Sequence, residues 1–144
     1  MNPYSYSGLD IKIKYKPGMP KIERHGDWVD LYTSEEIVLN KFDSTIINLG
    51  VCIALPDGYE ALLVPRSSTF KKFGIIQTNG VGVIDNAYRG KDDWWGMPVY
   101  ATRYVLIPKH TRIAQFRILR NQPLFSVTET EMDDENRGGF GSTG

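Results

Sequence analysis

"STIINLGVCIALPDGYEALLVP", residues 44–65, decides the fold class. Its first half is dense in β-branched and apolar residues, which favour a pleated, buried surface over a helix. The run "STIINLGVCIAL" then stops at Pro56-Asp57-Gly58, where proline presets φ and glycine accepts a positive φ. "YEALLVP" runs back from that turn, so a β-hairpin is predicted across it.

Outward from this unit the same grammar repeats. "DIKIKYK" alternates Ile11, Ile13 and Tyr15 against lysines, the period-two pattern of a half-buried strand. "GIIQTN", "VGVID", "MPVYATRYVLI", "TRIAQFRIL" and "FSVTETEM" read as further strands. "TSEEIVL" suits a helical turn or a strand equally, and little else reads as helix. No repeat of fixed period is present. Many short strands at this spacing predict one all-β domain, a sandwich, barrel or jelly roll. The predicted domain spans 1–136. The remainder, 137–144, is glycine-rich and polar, with nothing to build a core, and reads as a flexible tail.

Composition narrows the function classes. The 144 residues suffice for one domain with a real core, and 41% hydrophobic with 24% charged residues excludes wholesale disorder. Seventeen basic residues balance seventeen acidic ones, so a general nucleic-acid binder is excluded while a local cationic pocket is not. Cys52 is the only cysteine, leaving no disulfide framework. His25 and His110 lack ligand spacing and read as ordinary loop histidines. No apolar run approaches a membrane span and no signal peptide is evident, so a soluble, cytoplasmic protein is expected.

Four stretches carry residues suited to chemistry. In "GVGVIDNAYRG" (80–90), Asp85-Asn86 forms a β-turn on the simplest reading, yet a carboxylate at a strand end beside glycines is also a candidate general base. In "VPRSSTFKKFG", Arg66 offers a planar fork for phosphate oxygens, with Ser67 and Ser68 as further donors. In "TRIAQFRIL", alternation puts Gln115 on one strand face with Ile113, Arg117 and Leu119. The end, "RGGFGSTG", combines Arg137, backbone N–H groups and the flat ring of Phe140, but it lacks the lysine and following helix of a P-loop.

In chain order, "PRSS", "GVGVIDNAYRG", "RIAQ" and the terminal "RGGFGSTG", together with Asp30-Leu31 in "GDWVDLYT", resemble the trimeric dUTPase family across residues 24–144. The resemblance implies a jelly-roll homotrimer that hydrolyses dUTP to dUMP and pyrophosphate, limiting uracil in DNA and supplying dUMP for thymidylate synthesis. Each active site would be shared among three subunits. Residues Asn79 to Tyr88, with Gly82 and Ile84, would form a strand pair whose backbone reads uracil, Gly80 and Gly82 allowing close approach. Tyr88 would lie under the deoxyribose. Asp85 would activate the water that attacks the α-phosphorus. Arg66, Ser67 and Ser68 would hold phosphate oxygens, and Gln115 would contact the α-phosphate or the attacking water. Phe140 would stack on uracil, with Arg137, Ser142 and Thr143 reaching the distal phosphates as a lid. Mg²⁺ would ride on the triphosphate, with Asp30 reaching it through water and no protein atom as a direct ligand. Neither a membrane nor nucleic acid is an expected partner.

The chain also departs from the family pattern. Its final motif is two residues shorter between Arg137 and the glycine pair, Trp28 stands where glycine is common, and Ser68 ends the "RSS" motif. After Gly90 comes "KDDWWGMP", bulkier than the usual alternating strand; Trp94 and Trp95 are either packed at a subunit contact or exposed as a docking patch, and burial in the core or an interface is expected. Two other readings share the fold: a regulatory protein binding a protein partner, and dCTP deamination, against which "GVIDNAYRG" argues.

Overall fold

The computed structural model describes residues 8–142. The short apolar runs become eleven strands and one short helix. β1 (Lys12–Tyr15) pairs with β5 (Val51–Ala54), and β3 (Ile37–Leu39) with β10 (Val105–Ile107). A four-stranded sheet runs in the order β2 (Val29–Tyr32), β11 (Arg112–Arg120), β6 (Tyr59–Pro65), β8 (Gly82–Ile84). A three-stranded sheet runs β4 (Ser44–Asn48), β9 (Gly96–Ala101), β7 (Ile75–Gln77). All these strand pairs are antiparallel, and the architecture is a jelly roll. Among the described residues no helix is long and apolar enough to cross a membrane.

The inner faces close on one core that includes Leu31, Ile47, Ile53, Leu63, Met97 and Ile113. Trp95 lies within it at 0% exposure, its ring edge-on to Phe116 with centroids 5.2 Å apart. Burying an aromatic of that size contributes on the order of 5 kcal/mol.

Several expectations need correction. The Pro56-Asp57-Gly58 turn forms, with the Tyr59 N–H donating to the Pro56 carbonyl at 3.2 Å and Gly58 at φ 87°. Its strands do not form a hairpin. Both edges of β6 are already taken by β11 and β8, so β5 leaves to pair with β1. The run from Ser44 is two strands, broken at Leu49-Gly50, where Gly50 has φ 69°. "MPVYATRYVLI" likewise breaks between β9 and β10. In "TSEEIVL" no helical turn forms, and Ile37–Leu39 is strand β3. "FSVTETEM" is not a strand: it pairs with no strand among the described residues, and Leu124, Phe125, Val127 and Met132 stand exposed. The helix, α1 (Thr69–Phe73), was not expected; Gly74 ends it at φ 64°, donating to the Phe70 carbonyl, with Lys71 and Lys72 in its last turn.

Candidate active site

A β-bulge builds the first half of the site. Arg112 pairs with Tyr32 but Ala114 pairs with Leu31, so Ile113 is an extra residue in β11. The bulge resets the alternation. Ile113 and Ala114 both enter the core, and Gln115 faces outward with Arg117. The expected grouping of Ile113 with Gln115 is therefore wrong, because simple period-two counting fails across a bulge.

With the parity reset, Gln115 lies opposite Asp30 in the ladder. The Asp30 carboxylate takes Arg66 Nε at 3.3 Å and Arg112 Nη1 at 4.0 Å. Gln115 donates through Nε2 to the Pro65 carbonyl at 3.2 Å. Two guanidinium ions against one carboxylate leave this corner net positive, which suits an anionic ligand. Ser67 is exposed, and Ser68 sits at the N-cap of α1 without a side-chain cap bond, so neither hydroxyl is spent on capping the helix.

Thr69 escaped the sequence reading and organises this corner. It is 1% exposed; its hydroxyl donates to the Ile113 carbonyl at 2.9 Å and accepts from the Arg66 N–H at 3.1 Å. The bulge carbonyl is thereby satisfied and the Arg66 loop tied to β11. Its only sequence signal is a hydroxyl three residues after Arg66.

The second half is a cleft of about 360 Å³ lined by Asn79, Gly82, Val83, Ile84, Asp85 and Tyr88 on one side. Successive strand residues point to opposite faces, yet all three residues of β8 line the cleft, so the cleft meets this edge strand along its backbone. The strand pair expected within residues 79–88 is a single strand there: β8 lies in that stretch and its ladder partner is β6. A Cβ on Gly82 would come within 3.0 Å of Leu63 Cβ, so close approach explains this glycine. Gly80 is different. A Cβ there would meet nothing within 4 Å, and its φ of 70° is what calls for glycine.

Asp85 follows β8, its carbonyl accepting the Tyr88 N–H at 3.0 Å, while its carboxylate is exposed and makes no ion pair among the described residues. Asn86, read from the sequence as part of the β-turn, anchors it. Its Nδ2 donates to the carbonyls of Pro56 at 2.8 Å and Tyr59 at 3.0 Å, and its Oδ1 accepts from Arg89. The Tyr88 hydroxyl donates to the Trp94 carbonyl at 3.0 Å. Burial first, and then the Asp93 carboxylate, hold this phenol above its ordinary pKa, so it remains a neutral donor. The far side of the cleft comes from Ile46, Trp94, Gly96 and Pro98, none of which was expected there.

The two halves stand apart within one chain. Ala61 pairs with Ile84, whereas Arg66 lies beyond the other end of β6, which separates the backbones of Asp85 and Arg66 by roughly 20 Å. The tail joins neither half. Arg137 is exposed, Phe140 is fully exposed at φ 54°, and Ser142 closes only a local turn onto Gly139. Thr143 lies outside the described residues. Among the described residues no group of three or more His, Cys, Asp or Glu could hold a metal ion.

A jelly roll with an edge-strand cleft, a free carboxylate at its rim and a separate cationic corner defines a class of binding or hydrolytic protein for small anionic ligands. Comparison with known proteins narrows the class. The family model described as dUTPase matches residues 19–144. The SPbeta prophage-derived deoxyuridine 5'-triphosphate nucleotidohydrolase YosS of Bacillus subtilis is 46% identical, covering 94% of this chain and 99% of that protein. The deoxyuridine 5'-triphosphate nucleotidohydrolase of Thermobifida fusca is 36% identical over 88% of this chain and 72% of its own. Among solved structures, the Staphylococcus bacteriophage 80alpha dUTPase with dUPNHPP matches with a TM-score of 0.75 at 24% identity, covering 94% of this chain and 98% of that one, a likeness of fold. The chain belongs to the dUTPase family.

Proposed function

We propose that this protein is a dUTP diphosphatase that hydrolyses dUTP to dUMP and pyrophosphate in a homotrimer whose sites are shared between subunits, acting in the cytoplasm. The observation that carries the shared site is the distance of roughly 20 Å between Asp85 and Arg66 along β6. Attack on one phosphorus atom needs the base and the phosphate-gripping groups within a few ångströms of it, so a neighbouring copy must supply one set. An apolar outer surface supports the assembly: Ile46, Ile76 and Val83 are exposed, as are Leu124, Phe125 and Val127 in the stretch without a strand partner. A second copy would cover these side chains and offer that stretch an edge.

Within such a site, the backbone of β8 reads uracil, and Tyr88 lies under the deoxyribose. Asp85 takes the proton of the attacking water, a role its unpaired carboxylate suits. Arg66, Ser67, Ser68 and Gln115 hold the phosphates, and cationic groups there stabilise charge developing on the departing pyrophosphate. Arg137, Phe140, Ser142 and Thr143 act as the lid over the nucleotide. Mg²⁺ would be held through triphosphate oxygens and water, the coordination that cation prefers, and would neutralise phosphate charge. Asp30, already shared by two arginines, suits contact with it through water rather than direct ligation.

The test is pyrophosphate release from dUTP, dTTP, dCTP and UTP with Mg²⁺, alongside light scattering. Strong preference for dUTP and a mass of three 16.3 kDa chains are expected. Turnover of dCTP with release of ammonia would favour the deaminase reading. Failure to turn over any nucleotide would favour the regulatory protein. A monomer at working concentration would overturn the shared site.

A further inference from the structure

The segment Lys91–Trp95 sets two neighbouring tryptophans to different tasks. Trp95 is drawn inward: its N–H donates to the Val51 carbonyl at 2.8 Å, its carbonyl accepts from the Leu49 N–H at 2.9 Å, and its ring joins the core. Trp94 stays half-buried on the wall of the cleft that holds Asp85 and Tyr88.

The loop carrying Trp94 is tied at several points. The Asp93 carboxylate accepts the Gly90 N–H at 2.8 Å. Lys14 donates to the Lys91 carbonyl at 2.6 Å and pairs with Asp92 at 3.6 Å. The ammonium groups of Lys14 and Lys16 stand over the Trp94 ring, 4.9 and 5.2 Å from its centroid. On the cleft side, the Trp94 carbonyl takes the Tyr88 hydroxyl. Beside it, Gly96 lets β9 press on Ile46, since a Cβ there would come within 2.7 Å of Ile46 Cγ2. Two lysines hold the indole itself and the other bonds hold its loop, so a half-buried ring is fixed on the wall of the cleft.

We propose that Trp94 is a substrate-contacting, specificity-determining residue that forms the sugar-side wall of the cleft. The inference rests on the reading of that cleft as the deoxynucleoside site. Trp94 holds the Tyr88 ring through its own backbone, so indole and phenol together frame the position of the sugar. A ribose would bring its extra hydroxyl against these rings, where the indole face offers it no hydrogen bond. Apolar pockets reject an analogue that only adds a hydroxyl by about a hundredfold, and one of two walls accounts for a part of that.

The experiment compares kcat/KM for dUTP and UTP, and the change of tryptophan fluorescence on titration with dUMP, in the wild type and in Trp94→Phe, Trp94→Ala and Trp28→Phe. In Trp94→Ala, UTP should gain about tenfold on dUTP. Titration with dUMP should change wild-type and Trp28→Phe fluorescence, while Trp94→Phe binds dUMP by calorimetry without that change. If Trp94→Ala does not fold, the fluorescence of Trp94→Phe decides. A fluorescence change that persists in Trp94→Phe, or an unchanged dUTP-to-UTP ratio in a folded Trp94→Ala, overturns the proposal while dUTP hydrolysis stands. A wild type that neither hydrolyses dUTP nor binds dUMP overturns the nucleoside reading and this proposal with it.

Discussion

Asp85 and Asn86 divide the work of one turn. Asn86 donates to two carbonyls of the neighbouring Pro56–Tyr59 turn at 3.0 Å or less, and so holds the loop in place. Asp85 is thereby released from structural duty and keeps its carboxylate free. Replacing Asn86 by alanine removes these bonds and should cost about 2 kcal/mol, read as a lowered midpoint in urea with an unchanged slope. A loss under about 0.5 kcal/mol, the ordinary scatter of surface substitutions, would mean the turn is held by something else. Asp85→Asn tests the other half. The amide keeps the shape but cannot take the proton, so kcat should fall by about 10²–10⁴-fold with fold and dUTP affinity retained. Near-normal turnover would move the base elsewhere.

At the scale of elements, the bulge in β11 sets the geometry of the cationic corner. By adding Ile113 it turns Gln115 toward Asp30 and frees a carbonyl that Thr69 captures. The same hydroxyl fixes the Arg66 N–H, so one buried side chain couples bulge, loop and helix start. Thr69→Val keeps the volume but leaves both backbone groups unpaired. A cost of about 1–3 kcal/mol in stability is expected. A fall of about tenfold in kcat/KM should accompany it as Arg66 loses its placement. Thr69→Ser should restore both. A valine variant with wild-type kinetics, measured well below its melting temperature, would show that Arg66 is positioned independently.

For the whole molecule, the distance between Asp85 and Arg66 makes assembly part of the chemistry. The tail bears on the same issue from the other end, since Phe140 is fully exposed and makes no packing contribution in the single chain. Deleting 137–144 should leave oligomer mass and thermal stability almost unchanged. Catalysis should fall sharply, because a closing segment aligns the triphosphate and excludes water. Phe140→Ala should reproduce part of the loss, with stacking on a base contributing about 1–3 kcal/mol. Single-turnover rates of intact and truncated protein decide. An unchanged rate makes the tail an inert end, and an unfolded truncation makes it structural.

Strands, turns and candidate groups were legible along the chain because they rest on local physics. Isoleucine and valine prefer pleated backbone wherever they stand, Pro56-Asp57-Gly58 turns through its own dihedral preferences, and Asp85, Arg66, Ser67 and Gln115 carry their chemistry as residue types. What the tertiary structure alone decided are matters of partnership. β5 parts from β6 because β6 has no free edge, and "FSVTETEM" joins none of the sheets among the described residues. Thr69 meets a carbonyl 44 residues away, Asn86 one 30 residues away, and Trp95 enters the core while Trp94 faces the cleft. Whether a polar group finds its partner, and whether a ring meets core or cleft, depends on which distant strands share an edge, and residue preferences along the chain carry no record of that pairing.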